Sequence, residues 1–344
     1  MKPDISVYAT ARGKRTILVL RWPDVELFIE WKTEWEHDGY CDIFHDDDDI
    51  LDADTIKATH TRGQIYSYAA NVMDSQYRLS VFAISICGNF ARFYRFDPSC
   101  VVVTEPVSFR LNPEVVVDFL VRFSSMTPAE RGHDPTVIPA TPAEKRLFQS
   151  RLKDYRKRVS DEHLRLHPDV ETLDAKKVVK IQVNNEEDGT THWYLACKPG
   201  SLPVNYSPCG RLSRGFIATP LSSEAPKGKL LWLKDCWRSD QVESEASIYH
   251  YLKESGVENI PDVKYVGDVL YESVVQETFN DTLLDDETAD SWRRPVNIIH
   301  HMVHYRLVSE LLIPVDGVED AQELLLVGRD ILNGENDQIP PPSC

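Results

Sequence analysis

Along residues 1 to 110 the apolar positions follow two different periods. "ISVYA", "VELFIEW", "RLSVFAISIC", "FARFYRF" and "VVVTEPVSF" are rich in β-branched and aromatic side chains and read as strands. Between the second and third, "QIYSYAANVMDSQ" repeats its apolar residues near three-four spacing, which predicts a helix. Strands interrupted by a helix predict an α/β or α+β domain. "NPEVVVDFLVRFSSM" then predicts a second helix, with Asn112 as N-cap and Pro113 in the first turn. Residues 127–175 change character, from Pro-rich "TVIPATPAE" to the charged "EKRLFQSRLKDYRKRV". This stretch is expected to be a linker carrying a basic helix that packs through Leu147, Leu152 and Tyr155. From residue 176 the strand pattern returns. "VVKIQVNNEEDGTTHWYLACK" predicts a hairpin that turns at "NEEDG". "SPCGRLSRGFIAT", the apolar run "LLWLKDCW", a helix to about residue 255, further strands to 313 and a final helix "EDAQELLLVGRDILN" follow.

Composition narrows the class. The 344 residues suffice for two domains. Apolar content of 42% and charged content of 27% match a soluble globular protein. No run of about 18 apolar residues predicts a membrane span. "MKPDISVYAT" lacks the apolar core of a signal peptide. A net charge of −17 argues against general nucleic-acid binding, because phosphate backbones are held by Lys and Arg. The seven cysteines are scattered and never form CxxC. They fit a reducing intracellular compartment, cytoplasmic or nuclear, better than a disulfide framework or a zinc site. In "HDDDDILDAD" four adjacent aspartates repel one another, which predicts a solvated loop. His300 and His304, with His301 beside them, could bind metal from a helix. No third ligand accompanies them, so a packed or partly exposed strand-helix junction is expected.

The strongest chemical signal is Lys234, at the end of an apolar run. Such a lysine must reach water or find a carboxylate. Glu245 lies eleven positions later at the start of the predicted helix, three residues before Ile248 and seven before Leu252. Upstream, "GRLSRG" places Gly210 and Gly215 at the first and third glycine positions of G-x-G-x-x-G, with Leu212 at the middle one. Two glycines alone mark an ordinary turn. In order, however, a glycine turn, a strand, a strand lysine and a helix glutamate are what a kinase small lobe needs. There the loop covers ATP, the lysine contacts the α- and β-phosphates, and the glutamate orients the lysine.

"LWLKDCWRSDQVESEASIYHYLKESGVENIPDV" strongly resembles the fungal-type protein kinase family. The upstream block from "RGQIYSYAANVMDSQ" to "EPVSF", ending in "ERGHDPTV", is similar to that family's N-terminal region, and "YRLVSELLIPVDG" to its hinge segment. The resemblance covers almost the whole chain. It implies that Gly210 and Gly215 bound the phosphate loop, that Lys234 contacts phosphate, and that Glu245 pairs with it. It also implies that Glu310 to Ile313 approach the adenine, and that ATP and Mg²⁺ serve Ser/Thr phosphoryl transfer to a protein partner or substrate. A kinase also needs a catalytic-loop Asp, an Asn and a D-F-G Asp. After the hinge stands "EDAQELLLVGRDIL", whose Arg329 and Asp330 read as a surface pair, and no D-F-G follows. The chain is therefore expected to hold the small lobe, the hinge and the start of the large lobe. It would be a truncated or degenerate copy with weak or absent ATP binding and no transfer activity. A pseudokinase-like binding module is the alternative.

The first domain carries a separate pattern. Pro3-Asp4 opens one strand, Glu30-Trp31-Lys32 gives E-x-K on another, and Gln64 with Tyr68 gives Q-x-x-x-Y on the helix. This resembles the restriction-endonuclease-like superfamily. The resemblance implies two carboxylates, Asp4 and Glu30, on a divalent metal, with Lys32, Gln64 and Tyr68 in support. Nuclease activity is the least favoured functional reading. The expected fold is α+β: an N-terminal α/β domain over 1–126, a linker with a basic helix over 127–175, a kinase-like small lobe with hinge over 176–313, and the start of a large lobe over 314–344.

Overall fold

The computed structural model describes residues 2–9, 20–40, 53, 55–159, 170, 173–199, 207–222, 229–257, 260–284 and 299–311. The acidic run after residue 44, apart from Ala53, and the final helix lie outside the described residues. The first unit is a six-stranded mixed sheet of β1 (Ile5–Tyr8), β2 (Val25–Lys32), β3 (Val81–Cys87), β4 (Phe90–Phe96), β5 (Val101–Val103) and β6 (Val107–Ser108). The strands run β1-β2-β3-β4-β5, with β6 also on β4. β2 and β3 are parallel, so the chain must cross over between them, and helix α1 (Ile56–Gln76) is that crossover. Both faces are covered. Phe28 and Ala83 pack with Ile65, Tyr68, Ala69 and Val72 of α1. Leu27, Ile29, Ile84 and Phe93 pack with Phe119 and Phe123 of helix α2 (Pro113–Ser125). Burial on both sides explains why "LFI" is apolar at successive positions rather than alternating.

The second unit is a seven-stranded antiparallel sheet. Its strands are β7 (Val137–Pro139), β8 (Val179–Asn184), β9 (Thr191–Cys197), β10 (Arg214–Pro220), β11 (Leu231–Ser239), β12 (Val263–Asp268) and β15 (Met302–Glu310). They run β12-β15-β11-β10-β9-β8-β7. A small hairpin, β13 (Leu270–Tyr271) with β14 (Val274–Val275), stands beside it. Two helices share one face of the large sheet. Helix α3 (Pro142–Arg158) packs Phe148, Leu152 and Tyr155 on Leu195, Cys197 and Ile217. Helix α4 (Glu245–Glu254) sets Ala246 and Tyr249 on Cys236, Val266, Tyr305 and Leu307. On the other face Phe216, Ala218, Leu231, Leu233 and Val308 meet Tyr77, the residue that ends α1.

The segment expected as a linker is built into this sheet. β7 pairs with β8, and α3 begins at a capping box in which Thr141 and Glu144 satisfy each other's backbone N–H groups. The helix's deepest residue is Phe148, fully buried, while Leu147 is only half-buried. Pro-rich, charged composition resembles a linker because α3 shows its solvent face in Lys and Arg and hides a single apolar row. "RGHDPT" is a clasp. His133 and Arg131 meet Glu26 of β2 at 3.0 and 3.3 Å, and Arg78 bonds the same carboxylate at 3.0 Å. Asp134 accepts from Arg306 at 2.6 Å, from Gln276 at 3.0 Å and from Thr136. Gly132 adopts φ +94, and a Cβ there would overlap the Ser80 carbonyl.

Two expectations follow. Gly132→Ala should lower stability by more than about 2 kcal/mol in urea unfolding, since both the positive φ and the overlap oppose a side chain. Burial pushes the Glu26 carboxyl up, but the His133 hydrogen bond and the Arg78 charge outweigh it and hold its pKa at about 2, below an ordinary 4.5. A depressed carboxylate stabilises the fold above its unfolded pKa and loses that contribution as the pH falls. Stability should therefore drop between about pH 4.5 and 2. Glu26→Gln should flatten that acid slope while costing about 3–5 kcal/mol at neutral pH, because Arg78 would be left buried and unpaired.

Candidate functional site

Lys234 sits in the middle of β11, opposite Gly215 on β10 and Leu307 on β15. Alternation along β11 sends Leu231, Leu233 and Asp235 to one face and Lys234 and Cys236 to the other, where α4 lies. Ser244 caps α4 by accepting from the Ser247 N–H at 3.2 Å, which makes Glu245 the first helical residue. A carboxylate there is favoured by the helix dipole. The Tyr305 hydroxyl accepts from the Ala246 N–H at 3.0 Å and pins this first turn to the sheet. Lys234 Nζ donates to Glu245 Oε1, with 28% and 23% of the two side chains exposed. The lysine is therefore paired but half-open to solvent.

Glu245 Oε1 has a second cation. Arg211 donates to it at 3.0 Å from the glycine turn. Two cations on one carboxylate oxygen leave a net positive charge there, which suits an anion. Gly210 has φ +106, donates its N–H to the Pro98 carbonyl at 2.8 Å, and so ties the turn to the first unit. Gly215 is the second residue of β10 and lies inside the strand, directly across from Lys234. The Arg211 carbonyl accepts from Trp237 N–H at 2.8 Å and runs the turn alongside β11. Glu310 ends β15 and Leu311 follows it, while Ile313 lies outside the described residues.

Directly behind Lys234, Asp235 is 1% exposed. It accepts from Arg214 Nε at 2.9 Å and Arg306 Nε at 2.8 Å, and bonds His304 at 2.6 Å. His304 is therefore a fully buried strand residue, His301 bonds Asp281 at 2.6 Å, and His300 is exposed. The three do not share a helix face. Among the described residues no group of three or more His, Cys, Asp and Glu could hold a metal ion.

The first unit gathers its five expected residues. Asp4 Oδ2 accepts from the Trp31 N–H at 2.9 Å, between Glu30 and Lys32. Lys32 donates to Glu30 Oε1 at 2.5 Å. The Tyr68 hydroxyl donates to the Lys2 carbonyl at 2.9 Å and lies beside Gln64. Burial raises the Glu30 carboxyl's pKa, partly opposed by the Lys32 hydrogen bond and charge and reinforced by the Asp4 charge. Tyr68 is pushed up to about 12 by burial and by the charges of Glu30 and Asp4. Glu30 Oε2 and Gln64 Oε1 are buried without a hydrogen-bond partner. A hard divalent cation fits such a set through one or two carboxylates, an amide oxygen and water.

Sequence reasoning missed Arg211, Asp235, Asp134 and Phe148. Arg211 was legible as a basic residue inside the glycine turn, and "KD" at 234–235 as two charges on alternate faces of a strand. Only the tertiary arrangement pairs Asp134 with Arg306.

No curated protein and no solved structure matches the chain. The family model described as fungal protein kinase matches residues 48–310, which include the clasp, the glycine turn, Lys234, Glu245 and the end of β15. That match spans most of the sequence, and the chain belongs to the fungal protein kinase family.

Proposed function

We propose that this chain is a kinase-like module whose small lobe engages the phosphates of a nucleotide through Lys234, with Glu245 orienting the lysine. The observation that carries the reading is the Lys234–Glu245 pair itself, formed between a central strand and the first turn of the following helix. In kinases this pair must be in place for phosphoryl transfer. Membership of the family implies ATP and Mg²⁺ in general. Here Lys234 would hold phosphate oxygens by charge, and Arg211 would lend a second cation from the glycine turn. The residues that hold Mg²⁺ and position the substrate hydroxyl in kinases follow the hinge. The Lys234 pair and Arg211 belong to the phosphate-binding part of such a site, so the reading made here is one of phosphate binding.

Lys234→Met should leave stability within about 1 kcal/mol, since half-exposed pairs contribute little. It should abolish the thermal shift produced by Mg-ATP or tripolyphosphate. An unchanged shift in the variant, or phosphoryl transfer by the unaltered 344-residue chain that Lys234→Met removes, would contradict the reading.

A second reading concerns the first unit, and the two unpartnered buried oxygens of Glu30 and Gln64 favour it. We infer that Asp4 and Glu30 form a divalent-cation site in a restriction-endonuclease-like domain, with Lys32, Gln64 and Tyr68 around it. Mn²⁺ or Mg²⁺ should raise the melting temperature of the full chain, and both Asp4→Asn and Glu30→Gln should remove that rise. Equal rises in all three proteins would count against the site.

A further inference from the structure

We propose that helix α3 is a built-in plug on the base side of the Lys234 site, filling the sheet face where a nucleotide's base would lie and leaving the phosphate end open. The proposal rests on the reading of Lys234 as a phosphate seat. Strand register puts Gly215, Ile217, Trp232, Lys234 and Leu307 on the same face. In this proposal a nucleotide held by its phosphates at Lys234 lays its sugar and base along that face. Toward β12 the way is taken by α4, seated on Cys236, Tyr305 and Leu307. The other direction runs over Ile217 to Leu195 and Cys197, with Leu311 just after β15.

That direction is closed. Phe148, Leu152 and Tyr155 of α3 form one buried cluster with Leu195, Cys197, Ile217 and Leu230, and Leu311 packs against it. Exposure marks the boundary. Ile217 is 1% exposed and Leu195 and Cys197 are 0%, whereas the Lys234 side chain keeps 28%. The phosphate end and the base end of one binding face thus differ in access.

The docking of α3 has an unusual fastening. Arg151, 9% exposed, donates to the Thr219 hydroxyl at 3.0 Å, to the Pro220 carbonyl, and to the Ser222 carbonyl at 3.0 Å. Its partners are neutral oxygens, and burial of its charge lowers its pKa. Beside the apolar packing, these bonds tie α3 to the end of β10. Weakening them should shift α3 toward an undocked state while the strands stay paired. When the competent state is a minority, apparent affinity falls by the fraction released, so α3 docked in about 99 of 100 molecules would weaken nucleotide binding about a hundred-fold.

The test titrates a fluorescent adenine nucleotide and inorganic tripolyphosphate against the full chain, Arg151→Ala and Lys234→Met. Tripolyphosphate needs only the phosphate seat. It should bind the full chain and Arg151→Ala within about two-fold of each other, and Lys234→Met should lose it. The nucleotide should bind Arg151→Ala at least about ten-fold more tightly than the unaltered chain. Equal nucleotide affinity for those two, with tripolyphosphate still dependent on Lys234, overturns the plug and leaves the phosphate seat standing. Tripolyphosphate binding that ignores Lys234 overturns the phosphate seat and the plug with it. If Arg151→Ala does not fold, hydrogen exchange on the unaltered chain decides. Saturating nucleotide should speed exchange of the α3 amides, and unchanged or slower exchange there overturns the proposal.

Discussion

The buried charges behind Lys234 govern how this molecule is assembled. Asp235 and Asp134 are each enclosed, and Arg306 bridges them at 2.8 and 2.6 Å. Arg214 and His304 complete the shell of Asp235, and Gln276 and Thr136 that of Asp134. Burial alone would raise both carboxyls. The Arg214, His304 and Arg306 charges hold Asp235 well below the usual carboxylate range, and those of Arg306 and His304 lower Asp134. Such a network is a poor way to gain stability over apolar packing, but removing any one member strands the others. Its effect is geometric. It fixes β10, β11, β15 and the 131–136 clasp in one register.

That register has a functional consequence one residue away. On a strand, neighbours face opposite ways, so an anchored Asp235 fixes where Lys234 points. The same strand thereby carries the buried Asp235 network on one face and the half-exposed Lys234–Glu245 pair on the other. The Arg214 that bonds Asp235 also reaches the Met73 carbonyl of α1 at 3.4 Å, and Lys198 bonds Asp74 at 2.6 Å. Asn280 ties the far loop to Asp97 and Arg95. The first unit therefore braces the second, and the "ERGHDPT" stretch is the point of attachment.

Much of this was legible in the sequence, for physical reasons. Both helices of the first unit, the hairpin at "NEEDG" and the strand-Lys, helix-Glu order rest on local periodicity, which a single chain displays directly, although Asn112 stands at the N-cap of α2 without a side-chain cap hydrogen bond. The pairing of Lys234 with Glu245 follows because a strand and the next helix pack together. What was hidden is long-range. Residues 127–175 look like a linker by composition, and only Phe148 and Asp134, buried by partners 69 and 172 positions away in Ile217 and Arg306, reveal their place in the sheet. His304 was read with its sequence neighbours His300 and His301, whereas its true companions are Asp235 and Gln276. In the first unit, the unpartnered buried oxygens of Glu30 and Gln64 are a feature that sequence spacing alone could not supply.

The account's central claim is that Lys234 and Glu245 act together on a phosphate-bearing ligand. A double-mutant cycle in tripolyphosphate binding addresses it most directly, using Lys234→Met, Glu245→Gln and the pair of changes together. The account predicts that Glu245→Gln weakens binding when Lys234 is present and has no further effect once Lys234 is gone. Equal, additive effects of Glu245→Gln in both backgrounds would contradict it.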